Sequence, residues 1–465
     1  MPVAQSQEAC DTTQSVDYRI EHDTMGEVRV PADALYGAQT QRAVENFPIS
    51  RLRFPRAFIR ALGLIKSAAA QVNGRLGELP ADLAAAIEKA AEEVVAGKYD
   101  DHFVVDIFQT GSGTSTNMNA NEVIGRLAKA HPNDHVNRGQ SSNDVIPSAI
   151  HIAAALLAHE ELLPAMEGLQ ASLRKKAEEF KSIIKIGRTH LQDAVPMLLG
   201  QEFGGYAAQV EQCIGRVRVA LEGLDELPLG GTAIGTGLNA IPGFAAATIA
   251  EIRTRTGLPF REASNHFEAQ AAKDAVSFLS GALKTYAIAL TKIANDIRWL
   301  GSGPRCGFGE LKLPETQPGS SIMPGKVNPV IAESLLMACA QVIGYDATIT
   351  WCCAAGNFEL NVMMPVMAYD LIESIELLAA GSRNFARRLI EGLEADAQRA
   401  SGYVEQSLAM CTVLAPVIGY EKAAAIAKEA YRSGRTVREV ARETSGIPDG
   451  RLNELLDPRS QTGTT

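Results

Sequence analysis

The chain of 465 residues lacks an excess of positive charge and has few aromatic side chains. It carries 44 Lys and Arg against 54 Asp and Glu, a net charge of −10 near neutral pH, and 6% of its residues are aromatic. Without a basic surface to neutralise phosphates, binding to nucleic acid or to an anionic membrane is disfavoured. Any anion that the protein binds must therefore be held by a local site.

Long apolar runs are also missing. The apolar segment from Ile150 to Leu157 is far shorter than the roughly 20 residues that cross a bilayer, so we expect no membrane-spanning segment. The segment from Met1 to Ser15 is polar and acidic, unlike a signal or transit peptide. We therefore expect a cytoplasmic protein.

Cysteine is scarce, and its spacing suggests no framework of disulfides. The seven cysteines are odd in number and contain no CxxC pair, so we expect reduced thiols. His131 and His135 with Asp134 have the spacing of metal ligands, but Pro132 favours a turn and no third ligand is indicated, and no redox group stands out. We therefore expect neither a metal ion nor another cofactor.

What the chain does contain is long stretches in which apolar residues recur every three or four positions. This spacing predicts helices over Ile146 to Phe180, Met197 to Leu224, His266 to Leu300, Val330 to Ile343 and Val362 to Leu393. Other faces of the third helix also carry apolar residues, which predicts burial on several sides, as in a bundle or an oligomer. Strand signals are few, so the expected fold class is mainly α.

The length of the chain exceeds what one hydrophobic core usually organises. Changes in pattern divide it into a mixed, mostly helical N-terminal domain, residues 1–142, and a central domain of long bundled helices, residues 143–397. Glycine turn signals then mark a small C-terminal helical domain, residues 398–465.

The most informative segment is GSSIMPGKVNP at 319–329, which stands directly ahead of a helical pattern. Asn328 suits the N-cap and Pro329 the first helical position, so free backbone N–H groups and the positive end of the helix dipole would lie beside Lys326. Such a helix N-terminus binds anions. An ordinary capped turn is the alternative for any loop of this kind taken alone.

Three more polar loops precede helical patterns, at 111–117, 140–144 and 187–193. The second could clamp a carboxylate, although capping of the helix by Ser142 or Asn143 is the commoner role for such residues. A lone histidine, as in the third loop, is usually structural.

Together the four loops offer hydroxyls, amides, one lysine and one histidine. This set suits proton abstraction next to a carboxylate, because the resulting dianionic carbanion needs several fixed donors. Serine is a poor base unless its alkoxide is stabilised, and Lys326 and a helix N-terminus could do this.

These motifs resemble the fumarase/aspartase superfamily. The string at 319–329 closely resembles its signature, and GSGTSTNMNANE at 111–122, GRTHLQDA at 187–194 and GPRCG at 303–307 extend the likeness over nearly the whole chain. Members have three domains, a central bundle of long helices and a homotetramer in which each active site takes loops from three subunits. The resemblance implies the same architecture and self-association here.

Within the superfamily the chain is similar to the class II fumarases. It has QSSND at 140–144, where aspartases typically place Thr second, and HPND at 131–134 and GNFELN at 356–361 also fit fumarases better. Met363-Met364 departs from the Phe and basic residue of many fumarases. The resemblance implies a cofactor-free lyase, a hydratase of the tricarboxylic acid cycle, that interconverts (S)-malate and fumarate by anti-elimination through an aci-carboxylate carbanion.

The resemblance also implies roles for individual residues. Ser320 would remove the C3 proton of malate, and His190, paired with Glu333, would act with Thr189 on the departing hydroxyl or its water. Lys326 would stabilise the carbanion. The residues expected to bind substrate are Ser112, Thr114, Ser141, Ser142, Asn143, Thr189, Lys326 and Asn328. A second, peripheral anion site would comprise His131, Asn133 and Asp134.

Two alternatives stay open. An aspartate ammonia-lyase would release ammonia instead of water from a similar carbanion, and a structural or binding homologue would be catalytically silent. The intact Ser320, His190 and Lys326 argue against the silent homologue.

Overall fold

A computed structural model describes residues 17–463, and the segment from Met1 to Ser15 lies outside these residues. The predicted mainly α fold is confirmed. Within the described range the helices are α1 Ala38–Asn46, α2 Arg56–Arg75, α3 Ala81–Val95, α4 Thr114–Ala128, α5 Ser142–Leu157, α6 Leu163–Glu179, α7 Leu199–Leu221, α8 Phe244–Thr256, α9 His266–Ala271, α10 Asp274–Leu300, α11 Val330–Ala354, α12 Met364–Phe385, α13 Ala397–Gln406, α14 Ala415–Ile418, α15 Tyr420–Ser433, α16 Val437–Thr444 and α17 Asp449–Leu455.

Strands are short and occur only in pairs within the described residues. They are β1 Tyr18–Asp23, β2 Gly26–Pro31, β3 Ile184–Thr189, β4 Gln192–Leu198, β5 Glu226–Leu227, β6 Arg261–Glu262, β7 Leu311–Lys312 and β8 Glu394–Ala395. The pairs β1–β2, β3–β4 and β7–β8 are antiparallel and β5–β6 is parallel. Sheets this small cannot form a core, so the packing of the protein depends on its helices.

The long helices follow the apolar periodicity closely. Helices α5 and α6 are joined by one π-helical turn, Ala158–Leu162, so the chain is helical throughout Ser142–Glu179. Helix α7 begins at Leu199 rather than at Met197, because Met197 pairs with Lys185 in the β3–β4 ladder.

The single helix predicted over His266 to Leu300 is wrong at one point, because Ala272 and Lys273 separate α9 from α10. Lys273 is buried, and its Nζ donates to the carbonyls of Ala269, Gln270 and Ala272 at 2.8–2.9 Å. These carbonyls would be unpaired at the end of α9 without the lysine. The side chain therefore stabilises a helix end that contains no Gly or Pro.

The described residues form two compact units. One comprises residues 17–156, 223–277 and 348–372, and the other comprises 157–222, 278–347 and 373–463. Within the second, the C-terminal helices have their own apolar cluster, which includes Val404, Leu414, Ile426 and Val440. The three domain boundaries given above stay a prediction.

Two helical segments are long and apolar enough to cross a membrane by length and composition. In Ser142–Glu179, 78% of the apolar window is buried inside the protein, which marks a core helix. In α11 the buried share is 28%, and Met337 and Trp351 are 68% and 79% exposed in the single chain. Much of the apolar surface of α11 is therefore exposed within the described part of one chain.

Candidate active site

The first group of predicted site residues lies at the N-terminus of α4. Gly113 precedes the helix with φ +72°, a conformation that favours glycine, and a Cβ there would meet Ile146 at 2.8 Å. The Thr114 hydroxyl follows at the first helical position. The glycine therefore lets the polar loop turn tightly into the helix and places Ser112 and Thr114 side by side, with their hydroxyl oxygens 2.7 Å apart.

The N-terminus of α5 meets the same hydroxyls. Thr114 Oγ1 lies 2.7 Å from Ser142 Oγ, so Ser112, Thr114 and Ser142 form a continuous chain of hydroxyl groups across two helix N-termini. The Asn143 side chain donates to the Ala233 carbonyl at 2.8 Å. Two positive helix ends and their hydroxyls suit a carboxylate, because each contributes a partial positive charge and hydrogen-bond donors.

The cap of α5 differs from the prediction. Ser141 Oγ accepts the Asn143 N–H at 3.2 Å, and Asp144 Oδ1 accepts the Ser141 N–H at 2.9 Å. Ser141 and Asp144 thus form a reciprocal cap, which corrects the expectation that Ser142 or Asn143 caps the helix. The hydroxyl of Ser142 is left to join the hydroxyl chain.

The segment that carries Ser320 lies between β7 and α11. Ser320 is half-buried, and its Oγ accepts the backbone N–H groups of Ile322 at 3.2 Å and Met323 at 3.0 Å. Hydrogen bonds to the charged form of a group favour that form. The two amide donors would therefore stabilise an alkoxide on Ser320.

Asn328 does not have the predicted capping role. Its Nδ2 donates to the Gly319 carbonyl at 2.6 Å and closes the loop, and α11 begins two residues later, at Val330. Lys326, Asn328 and Glu333 line a cavity of about 480 Å³ together with Arg298. Because Asn295 lines it as well, the cavity combines two cations, two amides and one carboxylate.

Thr189 and His190 lie at the tip of the β3–β4 hairpin rather than in a loop ahead of a helix, which corrects the interpretation of residues 187–193. Both side chains are exposed. His190 and Leu191 have φ of +57° and +60°. A left-handed backbone costs a non-glycine residue roughly 1–2 kcal/mol, so the tip is strained.

Strand β3, which leads into the tip, is held by buried charges. Arg188 donates to both carboxylate oxygens of Glu310 at 2.7 and 3.1 Å, and Glu310 is fully buried. Lys185, 1% exposed, lies 3.6 Å from Glu310 and 3.0 Å from Glu202. A bidentate pair of this kind fixes direction as well as distance, so the strand residue next to the strained tip is held in place.

His190 and Glu333 are not brought together within one chain. Among residues 17–463 neither side chain has a hydrogen-bond or ion-pair partner. Their predicted pairing therefore has no counterpart in the single chain, whereas Ser112, Thr114 and Ser142 are in direct contact.

The predicted second anion site forms a short turn. His131 Nδ1 accepts the Asp134 N–H at 3.0 Å and lies 3.2 Å from the Asp134 carboxylate. His131 and Asn133 also line an open cavity of about 840 Å³ with Arg126 and Lys129. The residues are adjacent and exposed, which suits a peripheral site.

Sequence reasoning missed Lys66, which lies in α2 and is fully buried. Its Nζ donates to Asn137 Oδ1 at 3.0 Å and to Gln140 Oε1 at 2.9 Å, directly before the α5 cap. The available signal was its setting, because Lys66 is the one charged residue in the apolar run from Ala61 to Ala70.

Comparison with known families defines the chain as a lyase. The family described as "Lyase" matches residues 26–344, and that described as "Fumarase C C-terminus" matches residues 410–463. The chain is 54% identical to the fumarate hydratase class II of Mycobacterium tuberculosis and 52% identical to that of Xylella fastidiosa. Both matches cover 96% of this chain and 95% of the relative.

A solved structure agrees. The class II fumarase of Schistosoma mansoni superposes with a TM-score of 0.93 at 39% identity and covers 96% of this chain and 99% of its own. The chain belongs to the class II fumarate hydratase family. Among residues 17–463, no group of three or more His, Cys, Asp or Glu side chains could hold a metal ion, and the six described cysteines are free thiols.

Proposed function

We propose that the chain catalyses the reversible hydration of fumarate to (S)-malate, a lyase reaction, and that it uses Ser320 as the base. The observation that carries the proposal is the identity of 52–54% over 96% of the chain with relatives named fumarate hydratase class II. The site geometry supports the chemistry, because it supplies carboxylate-binding hydroxyls and a serine held by two amide donors.

In the proposed dehydration of malate, the Ser320 alkoxide takes the C3 proton and leaves a carbanion whose charge spreads into the adjacent carboxylate. Lys326 and Asn328 stabilise this aci-carboxylate. The C2–O bond then breaks, and the hydroxyl leaves as water with a proton supplied from His190 and Thr189. Each fixed donor to such a dianion is worth roughly 3 kcal/mol by mutational precedent.

The carboxylate that does not react is assigned to the two helix N-termini. Ser112, Thr114 and Ser142 present hydroxyls there, and Ser141 and Asn143 lie beside them. We assign no metal ion or other cofactor to the reaction.

We also propose that the enzyme is a homotetramer whose active sites are shared between subunits. Helix α11 leaves Met337 and Trp351 exposed in the single chain, as expected for a helix that packs against other copies. His190 and Glu333 have no partner within residues 17–463 of one chain, which fits a pair completed by a second subunit.

Shared sites can be tested by mixing two variants that both have little activity at a malate concentration near the wild-type KM, one because its base is removed and one because its KM is raised. Ser320→Ala and Thr114→Val tetramers that are dissociated together and reassembled would regain part of the activity, because some sites take both wild-type segments from different chains. Reassembly of each variant alone is the control. No gain in the mixture would contradict the sharing of sites.

Further proposals follow from the family. The three domains are residues 1–142, 143–397 and 398–465, and His131, Asn133 and Asp134 form a second anion site. The protein is located in the cytoplasm and has no membrane or nucleic-acid partner. The negative net charge and the buried Ser142–Glu179 helix support this proposal.

A substrate panel tests the function. Purified enzyme, dialysed against EDTA, is supplied with malate or aspartate, and fumarate is followed by its ultraviolet absorbance. Fumarate from malate alone is expected. Fumarate from aspartate would indicate an ammonia-lyase. The absence of activity with both substrates would indicate a silent homologue. If turnover of malate required added iron, the assigned chemistry would be contradicted.

A further inference from the structure

A buried lysine and a buried aspartate flank the carboxylate-binding segment at the start of α5. Lys66 and Asp144 are both 0% exposed. The three polar residues at 141–143 lie between the points where these two side chains attach. Lys66 contacts residues just before the segment in sequence, and Asp144 directly follows it.

Lys66 holds the approach to the segment. Its Nζ donates to Asn137 Oδ1 and Gln140 Oε1, and the Asn137 amide donates in turn to the Gln140 carbonyl at 3.1 Å. Asn137 Oδ1 also accepts from Asn117 and Asn121 of α4 at 3.2 and 3.1 Å. The lysine therefore connects α2 to the turn that precedes Ser141, and the same turn is tied to α4.

Asp144 holds the other end. Its Oδ1 accepts the Ser141 N–H, and its Oδ2 accepts the N–H groups of Gly230 and Thr232, all at 2.9 Å. The loop that carries these two amides also supplies the Ala233 carbonyl that binds Asn143. One carboxylate thus ties the α5 cap to the loop against which Asn143 is placed.

These charges are costly where they lie. Burial lowers the pKa of Lys66 to about 7 and raises the pKa of Asp144 to about 6, and their mutual attraction opposes both shifts. In both residues the folded protein disfavours the charged form, so each charge destabilises the fold near neutral pH. Within the described residues Lys66 has no carboxylate in ion-pair contact, so only its two amide acceptors and the attraction of Asp144 oppose the cost of its burial. Buried charges that lower stability are retained where they serve another purpose, of which support for a site is one.

We propose that Lys66 and Asp144 are a pair of positioning residues that hold residues 141–143 in the geometry that binds the substrate carboxylate. The proposal rests on the function given above. The pair does not touch substrate and takes no part in proton transfer. It fixes the backbone from both sides, so the hydroxyl and amide donors need no reorganisation when substrate arrives.

Loss of either positioning residue should weaken substrate binding and leave the chemical step nearly unchanged. Donors to the carboxylate that does not react hold substrate and transition state alike, and loss of such binding raises KM and changes kcat little. Lys66→Met removes the donors to Gln140 and Asn137. We expect KM for malate and the inhibition constant of succinate, a dicarboxylate that cannot react, to rise at least roughly 10-fold, with kcat within about 3-fold of wild type.

Three further variants make the test specific. Lys66→Gln keeps an N–H donor without the charge and should recover part of the affinity. Asp144→Asn removes one of the two acceptor oxygens and should raise KM as well. Lys176→Met is the matched control, because Lys176 is also a buried lysine but donates to Glu179 and the Leu393 carbonyl, so its KM should stay unchanged.

The outcomes separate the two hypotheses. Wild-type enzyme that turns over neither malate nor fumarate overturns the proposed function, whereas unchanged KM and succinate affinity in Lys66→Met overturn only the positioning pair. If Lys66→Met lowers the thermal midpoint but leaves KM normal, Lys66 serves stability alone and the proposal is overturned. The same conclusion follows if neither Lys66 variant forms a soluble tetramer. A raised KM with near-normal kcat in folded protein supports the proposal.

Discussion

The two halves of the candidate site differ in how much of their geometry exists in a single chain. At the N-termini of α4 and α5, hydroxyls contact one another, the cap is reciprocal and two buried charges lie behind it. At the Ser320 loop and the β3–β4 tip, side chains are half-buried or exposed, and His190 has no partner within residues 17–463. The half assigned to carboxylate binding is preassembled in one chain, whereas the half assigned to chemistry lacks partners there.

This difference makes an order of effects. Substitutions at the Ser320 loop and the β3–β4 tip, the chemical half, should lower kcat. Substitutions at the N-termini of α4 and α5, the binding half, should raise KM. Substitutions of buried helix residues that do not contact either half should change stability alone.

The largest effect is expected for Ser320→Ala. Without a base the C3 proton has no acceptor, and kcat for malate should fall by about 10²- to 10⁴-fold while the tetramer persists. Steady-state kinetics and size-exclusion chromatography measure both. Ser321→Ala, at the neighbouring exposed serine, should stay within about 3-fold of wild type. Near-normal turnover in Ser320→Ala would remove the proposed base.

Lys326→Gln should follow. The ammonium group is assigned to the charge that develops on the reacting carboxylate, and loss of one such donor typically costs about 10²- to 10³-fold in kcat. Lys312→Gln, an exposed lysine of β7, serves as the control and should show wild-type kinetics. An increase in KM alone would move Lys326 to the binding half and weaken the comparison.

Thr114→Val should act on KM. The substitution removes the hydroxyl that joins Ser112 to Ser142, and a lost hydrogen bond to a charged group costs about 1.5–3 kcal/mol, roughly 10- to 100-fold in KM. Thr116→Val is matched, because Thr116 is buried in the same helix but bonds Gln109. If kcat fell as far as KM rose, the two halves would not be separable.

The smallest effect on kinetics is expected for a buried histidine of α5, which should change acid stability instead. His151 of α5 is buried and lies 2.9 Å from the Glu226 carbonyl, and burial lowers its pKa to about 4. The unfolded chain binds this proton near pH 6.5, so the folded state loses stability as the pH falls from about 6.5 to 4, by on the order of 3 kcal/mol. His151→Gln should reduce the dependence of the thermal midpoint on pH over this window. His159→Gln, at an exposed histidine, should leave that dependence unchanged. Equal slopes in all three proteins would contradict this assignment.

Much of the fold follows from apolar spacing. The period of three and four residues predicts α5, α6, α7 and α10 well, because those helices bury one or more faces. The β3–β4 hairpin could not be predicted in this way. Its strands are held by contacts remote in sequence, such as Ile186 in the C-terminal apolar cluster and Arg188 on Glu310. The helix break at Ala272 depends on a lysine side chain, a tertiary effect that local propensity does not contain.

The candidate site divides similarly. Polar loops ahead of helices predict hydroxyl groups at helix N-termini, and the structure places the hydroxyls of Thr114 and Ser142 in contact there. Binding of a carboxylate by these hydroxyls stays a prediction. The partners of His190 and Glu333 depend on how chains assemble, and their roles stay a prediction. Lys66 was missed because a helical lysine is ordinarily solvated, and its burial depends on the folding of residues about 70 positions away.

The two-residue turn at His190-Leu191 has a consequence for anyone who engineers this protein. Hairpin turns with two left-handed residues favour Asn-Gly, so a search guided only by thermal resistance would replace the histidine at once. Such a protein would survive heating better and hydrate nothing if His190 acts as assigned. Improved variants should therefore be selected for turnover first, with this turn left as it is.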